Sequence, residues 1–364
     1  MEPSQPKLVE ASQHFSIFRA LPYWYIACTS EELGTTPRRA ELWDTPFVLF
    51  RDSQGNAHAL LDRCSHRNVP LSGGICVGDN IQCPYHGWEF DTEGACAKIP
   101  ALDTPMTNKA SRVPSYPVCE REGYVWVFTD CTQAPNHTPY SLPFIDDSRY
   151  LTIRYEAEFE ATLHATAENV LDVPHTAFLH AGLFRGGGGE PNPIDTEVRR
   201  YFDRSECHYI GEPRPSGVMG KLMAPGGGEV THVDRFILPS VAQVEYQLGD
   251  GIHLISTSCL SPISAFRTRM NAVVTVRVGK WATMLRPIVT PFALKVVKQD
   301  IEILSAQTQT IKAFGGESYA HSQADLLGPS IVKLLKKAVS SQVPIAQEPP
   351  TGEPEATSTG KLTV

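Results

Sequence analysis

The chain has 364 residues, a formal net charge of −8, hydrophobic residues at 41% and charged residues at 20%. That is an ordinary globular mix with room for two domains, and its acidic balance excludes the basic footprint that nucleic acid or an anionic membrane surface would recognise. No stretch reaches the ~18 uninterrupted apolar residues of a membrane span; the most apolar one, Trp281 to Val297, is broken by Arg286, Pro287, Pro291 and Lys295.

The amino terminus, Met1 to Glu10, has no apolar core of the kind a secretory signal carries. Nine cysteines, an odd number, do not read as a disulfide framework. A reducing, cytoplasmic setting is the expectation, and there clustered cysteines serve as metal ligands. Phe47-Val-Leu-Phe50, Gln54-Gly-Asn56 and His58-Ala-Leu-Leu61 predict a hairpin, and Tyr124-Val-Trp-Val-Phe128 predicts a strand entered through Gly123. Residues 1–140 therefore read as an all-β domain that closes in the proline-bearing stretch Ala134 to Pro143.

Within that domain Cys64-Ser-His66 and Cys83-Pro-Tyr-His86 supply two thiolates and two imidazoles at fixed spacing. A Cys₂His₂ set can hold zinc, but zinc fingers place the cysteine pair first and the histidine pair second. Here each arm carries one of each, which fits a Rieske [2Fe–2S] centre with both cysteines on one iron and both histidines on the other. Neutral imidazoles in place of two thiolates remove negative charge and raise the reduction potential, which suits one-electron relay.

The second domain is expected over residues 141–339 and mixes helix with strand. Ala161 to His180 contains a helical segment bearing Asn169, Asp172, His175 and His180. Positions 169, 172 and 175 share one helical face, but five residues separate the histidines, so a helix must loosen or bend to aim both at one ion. Pro174 disfavours a regular helix at Val173 and predicts an irregular, wider turn. Gly186 to Gly189 and Gly226 to Gly228 have no phosphate-loop spacing and read as surface loops, the first with a minor reading as a lid. Strands are expected between residues 230 and 278, in His253-Leu-Ile255 and Val273-Val-Thr-Val276 among others.

A helix over 292–314 follows. Its apolar positions 293, 296, 297, 301, 303 and 304 define a buried stripe, and Asp300 sits inside it. A lone carboxylate there costs several kcal/mol unless paired or coordinated. With the two histidines it completes the facial triad of a non-haem Fe(II) centre with open positions. The short basic helix at Ile331-Val-Lys-Leu-Leu-Lys-Lys337 reads as a packed terminal helix. Ser340 to Val364, rich in Pro, Thr, Ser and Glu, is expected to be a disordered tail.

Cys64-Ser-His66-Arg67, Cys83-Pro-Tyr-His86-Gly-Trp88 and Gly123-Tyr-Val-Trp126-Val-Phe128 resemble the cluster domain of the Rieske non-haem iron oxygenases. Glu168-Asn169-Val-Leu-Asp172-Val-Pro-His175-Thr-Ala-Phe-Leu-His180 resembles that family's iron motif, and Gln299-Asp300 its later helix. The resemblance runs from about residue 20 to 335 and is weakest between 190 and 290.

It implies an α+β chain with an all-β Rieske domain followed by a helix-grip-like catalytic domain, an antiparallel sheet flanked by helices. It implies a cluster on Cys64, His66, Cys83 and His86, and Fe(II) on His175, His180 and Asp300. Asp172, with Asn169 beside it, would serve catalysis by linking His175 to His86 of a neighbouring subunit, hence a ring-shaped homo-oligomer, a trimer. It further implies O2 as co-substrate, a reductase or ferredoxin passing electrons from NAD(P)H, and a mostly apolar small organic substrate. The length resembles members that hydroxylate or demethylate, so monooxygenation is the leading expectation, with dihydroxylation, demethylation, desaturation or cyclisation open. A pure electron carrier or a zinc-stabilised module are the readings from other classes. Phe236, Tyr246, Leu254 and Trp281 are possible pocket linings, each more naturally plain core.

Overall fold

The computed structural model describes residues 15–104, 106–180, 193–212, 230–248, 251–277, 282–340 and 353–363. Its amino-terminal part is built from eleven short strands: β1 (Trp24–Thr29), β2 (Arg38–Leu42), β3 (Thr45–Arg51), β4 (Ala57–Leu61), β5 (Ile75–Val77), β6 (Asn80–Gln82), β7 (Glu89–Phe90), β8 (Cys96–Lys98), β9 (Ser115–Tyr116), β10 (Val118–Arg121) and β11 (Tyr124–Phe128). They form three antiparallel sheets, ordered β1-β11-β10, β2-β3-β4-β9 and β5-β6-β7-β8. The expected hairpin is β3–β4, with Phe47 opposite Leu61 and Gly55 in the left-handed region at the turn. Gly123 (φ 80°) turns β10 into β11 as expected.

No helix or strand lies between Phe128 and Leu151. Beyond it come β12 (Leu151–Phe159), β13 (Pro193–Arg200), β14 (Arg204–Ile210), β15 (Val230–Ile237), β16 (Val241–Leu248), β17 (Ile252–Ser264), β18 (Arg267–Arg277) and β19 (Ala356–Thr363). These make one antiparallel sheet of eight strands, ordered β12-β18-β17-β16-β15-β14-β13-β19. Helices α1 (Leu163–Leu171), α2 (Ala282–Ala313) and α3 (Gly328–Ser340) accompany the sheet. Period-two alternation sorts the sheet residues: Phe236, Ala242 and Ala272 join a core with Leu163, Leu171, Leu304, Ile331 and Leu335. On the opposite face Ile237, Val241, Cys259 and Val273 pack against Trp24, Trp126 and Phe128 of the amino-terminal strands. Both parts thus share one apolar seam across the sheet.

Three expectations need correction. The segment after residue 340 is not all disordered tail: β19 pairs residue by residue with β13, Ala356 opposite Arg200 through Thr363 opposite Pro193, and buries Leu362. An edge strand offers unpaired N–H and C=O groups, and a polar Thr/Ser run of good strand propensity satisfies them without any apolar pattern. Second, α2 starts at Ala282, ten residues before the expected 292, and runs through Pro287 and Pro291. Proline removes an amide donor but its fixed φ is itself helical, so it weakens a helix without reversing the chain.

Third, Asn169, Asp172 and His175 do not lie on one continuous helix. α1 ends at Leu171 with Asp172 in an extended conformation, and Pro174–Ala177 forms a 3₁₀ turn, tighter rather than wider than an α-helix. The carboxy-terminal basic helix packs as expected, burying Ile331, Leu334, Leu335 and Ala338. Both glycine runs and Trp281 lie outside the described residues. Phe236 is core, fully buried.

Candidate metal centres

The first centre sits on two loops. One leaves β4 and carries Cys64 and His66; the other joins β6 to β7 and carries Cys83 and His86. Tight turns fold each back on itself: the Cys64 carbonyl accepts from Asn68 N and that of Cys83 from Gly87 N, at 2.9 and 3.1 Å. Gly87 is left-handed (φ 69°), and a Cβ there would stand 2.9 Å from Pro100 Cγ, so only glycine closes this turn.

A buried carboxylate pins the base of each loop, and sequence reasoning missed both. Asp62 accepts from Ser72 N, Ser72 Oγ and Arg39 Nη1 at 2.7–3.0 Å. Glu89 accepts from Asn80 Nδ2 and Gln82 Nε2 and pairs with Lys98. The only prior signal was an acidic residue on either side of a ligand loop.

The four side chains converge asymmetrically. Cys64 and Cys83 are buried, whereas His86 is exposed and its ring lies 4.5 Å from that of His66, which stacks on Trp88 at 4.7 Å and 9°. Burial pushes the Cys64 thiol up to about 11; the His66 amide opposes this, and the adjoining Cys83 adds to it. A metal would take it as thiolate and release that proton. His66 Nδ1 is buried with no hydrogen-bond partner, an orphan that a metal bond would satisfy. Burial first, then the charges of His86 and Arg67, push His66 down, keeping the ring in the neutral form a ligand needs. None of the nine cysteines is paired in a disulfide.

The second centre joins the α1–3₁₀ break to the middle of α2. His175 Nε2 lies 3.3 Å from His180 Nε2, and Asp300 Oδ1 stands 3.2 Å from His180 Nε2 and 3.6 Å from His175 Nε2. Ligands about 2.1 Å from one ion and at right angles stand about 3.0 Å apart, so this triangle fits a facial two-histidine, one-carboxylate site. Among the described residues it is the one such carboxylate–histidine group.

Each ligand has its own support. Gln299 Oε1 faces His180 Nδ1 at 3.0 Å and holds the tautomer that leaves Nε2 for a metal. Asn169 Nδ2 donates to Asp300 Oδ1 at 3.3 Å. Asp172 Oδ2 accepts from the His175 amide at 3.3 Å and lies 3.4 Å from its Nδ1. Burial works against charging His175, yet Asp172 and Asp300 push it up to about 9; a bound cation takes the place of that proton. Gln299 is the residue that sequence reasoning left without a role, being polar and mostly off the buried stripe.

An all-β domain with a Cys/His pair on each of two loops, joined to a helix-covered sheet with two histidines and a carboxylate at one point, defines a protein with two candidate metal centres. Residues 23–117 match the model of the Rieske [2Fe-2S] domain, and residues 159–340, half of the chain, match that of the vanillate O-demethylase oxygenase C-terminal domain. The chain belongs to the Rieske non-haem iron oxygenase family.

It is 32% identical to methylxanthine N1-demethylase NdmA of Pseudomonas putida over 54% of this chain and 59% of that one. It is 34% identical to the oxygenase component of dicamba O-demethylase of Stenotrophomonas maltophilia over 43% of this chain and 46% of that one. The chain thus spans about half the length of these curated relatives. Its fold matches a crystal structure of dicamba monooxygenase bound to dicamba, with a TM-score of 0.75 at 23% identity over 89% of this chain and 98% of that one.

Proposed function

We propose that this protein is a terminal oxygenase that monooxygenates a mostly apolar small organic molecule, using O2 and electrons drawn from NAD(P)H through a reductase or ferredoxin. The observation that carries the reading is the convergence of His175 Nε2, His180 Nε2 and Asp300 Oδ1 in a chain that also carries the cluster domain. An electron carrier has no use for the second site. Within the oxygenase reading, demethylation is the second possibility, favoured by the N- and O-demethylases among the relatives; it is oxygenation of a methyl group carried on nitrogen or oxygen. The division at residue 140 into a cluster domain and a catalytic domain over 141–339 belongs to the same reading, and so does a cytoplasmic location. No helix among the described residues is long and apolar enough to cross a membrane.

In this reading Cys64, His66, Cys83 and His86 hold the [2Fe–2S] cluster, and His175, His180 and Asp300 hold Fe(II). When bound, the cluster supplies one-electron relay and the mononuclear iron supplies oxygen activation. The protein's own residues position and protect. Gln299 keeps the His180 proton on Nδ1, Asn169 fixes the Asp300 carboxylate, and Asp172 fixes the His175 ring from its Nδ1 side. Asp172 is one-third exposed and His86 lies at the surface, which supports contact between them across subunits of a ring-shaped trimer.

The test is iron and acid-labile sulfide per chain on anaerobically purified protein after Fe(II) addition. About three irons and two sulfides fit the oxygenase; about two of each, with no third iron taken up, leave the electron-carrier reading. NAD(P)H-dependent oxygen uptake with a partner reductase and product analysis then separate hydroxylation from demethylation.

A further inference from the structure

One face of α1 carries titratable groups that holding a metal does not require. His164 and Glu168 stand at i and i+4 on α1, and the helix ends just beyond them at Leu171, before the extended Asp172 and the His175 ligand. His164 is 1% exposed, and neither ring nitrogen has a hydrogen bond of good geometry. The groups facing it are the Glu168 carboxyl, with Oε2 3.5 Å from its Nε2, and the main chain of Gly328 at the start of α3. Its ring is enclosed by Phe18 and Tyr319.

Glu168 lies between this imidazole and Asp172 and rests on Gly328, where any Cβ would collide with its Oε1. A buried imidazole with no well-formed hydrogen bond costs stability, so its placement against a buried carboxyl demands an explanation.

We propose that Glu168, backed by His164, is a proton store near the metal-binding end of α1. The proposal rests on the oxygenase reading, in which one O2, one substrate C–H bond, two electrons from the reductase and two protons give C–OH and one water. The electrons have their route through the cluster; the protons need one of their own. Burial, then the like charges of Asp172, Asp325 and Glu317, push Glu168 up to about 7, so near neutrality it is poised to give or take a proton. Burial pushes His164 down to about 4, against the Gly328 main chain and with a further contribution from His321, so it stays neutral and faces the protonated Glu168 carboxyl without taking its proton. Tyr319, 39% exposed, and the exposed His321 are the neighbours of His164 nearest the surface side of the pair. Asp325 and Glu317 complete the charged groups around it.

The experiment loads wild type, Glu168→Gln and His164→Phe with Fe(II), adds nitric oxide as the probe, and follows the nitrosyl EPR signal from about pH 5 to about pH 9. Glu168→Gln keeps size and removes only the exchangeable proton; an unchanged cluster spectrum confirms that it folds. The expected result is a line-shape transition near neutrality in wild type, its loss in Glu168→Gln, and its displacement by about one pH unit or more in His164→Phe. A flat profile in wild type, or identical profiles in wild type and Glu168→Gln, overturns the proton store.

No nitrosyl signal in any protein would instead overturn the iron reading. The infrared carboxyl band that Glu168→Gln removes from metal-free protein then decides the store by itself: titration near neutrality supports it, and titration in the ordinary carboxylate range overturns it.

Discussion

The two candidate centres are held by different means. At the cluster site the supporting carboxylates, Asp62 and Glu89, hydrogen-bond to Ser72, Arg39, Asn80 and Gln82 rather than to the four ligands; they fasten the loops to the strands beneath and leave the ligands to the turns. At the mononuclear site the elements are far apart in sequence, and each ligand has a side chain of its own: Gln299 for His180, Asn169 for Asp300, Asp172 for His175. On the proposed oxygenase reading, a stable electron relay is served by a rigid cage with one histidine edge exposed. On the same reading, a site that admits O2 and substrate is served by ligands held individually around open positions.

The widest break in this comparison is expected from the ligands themselves. Cys83→Ala should abolish the cluster's visible absorption and all reductase-driven electron uptake, while Fe(II) still binds once per chain. Asp300→Ala should do the reverse, dropping iron from about three to about two per chain with the cluster spectrum intact. If either variant loses both metals, the two regions do not load independently.

Asp172→Asn should be nearly as damaging to turnover and invisible to metal analysis. The amide cannot hold the His175 Nδ1 side as a carboxylate does, so product formation should collapse with both metals in place. Full activity would sink the linking role. Gln299→Leu should come next, weakening Fe(II) affinity about 10- to 100-fold while leaving the cluster alone. A direct titration with Fe(II) reads this; unchanged affinity would show that the His180 tautomer is set elsewhere.

How far each site was legible follows from the same contrast. Cys64, His66, Cys83 and His86 lie within 23 residues on adjoining loops, so spacing alone brought them together. Asp300 was readable because a carboxylate on an apolar stripe is anomalous, although 120 residues separate it from His180. Gln299 was not, since a polar residue off the stripe resembles any solvated position. The proline at 174 signalled the break before His175 but not its sense, because cap and 3₁₀ geometry depend on where the metal-site elements meet. Strand β19 was illegible for a different reason: Ala356 to Thr363 pairs with β13 across more than 150 residues, and edge pairing uses backbone groups that every residue carries.

The effect expected to be smallest on metal binding and turnover lies outside both centres and tests whether the sheet is a scaffold independent of them. His232 on β15 is buried between Tyr209 and Tyr246, its ring stacked 4.2 and 4.0 Å from theirs, with Nδ1 2.6 Å from Glu212 and Nε2 2.9 Å from Asp234. Burial disfavours its charge, but Asp234 and then Glu212 outweigh burial and push it up to about 9. In the unfolded chain a histidine gives up its proton near 6.5. The stabilisation is therefore complete below about pH 6.5 and is lost as pH rises through about 9. Denaturation midpoints should fall across that window equally in metal-loaded and metal-free protein, and Asp234→Asn should flatten the slope in both. A slope that appears only when metal is removed would tie the sheet's charge cluster to the iron site and end its role as an inert wall.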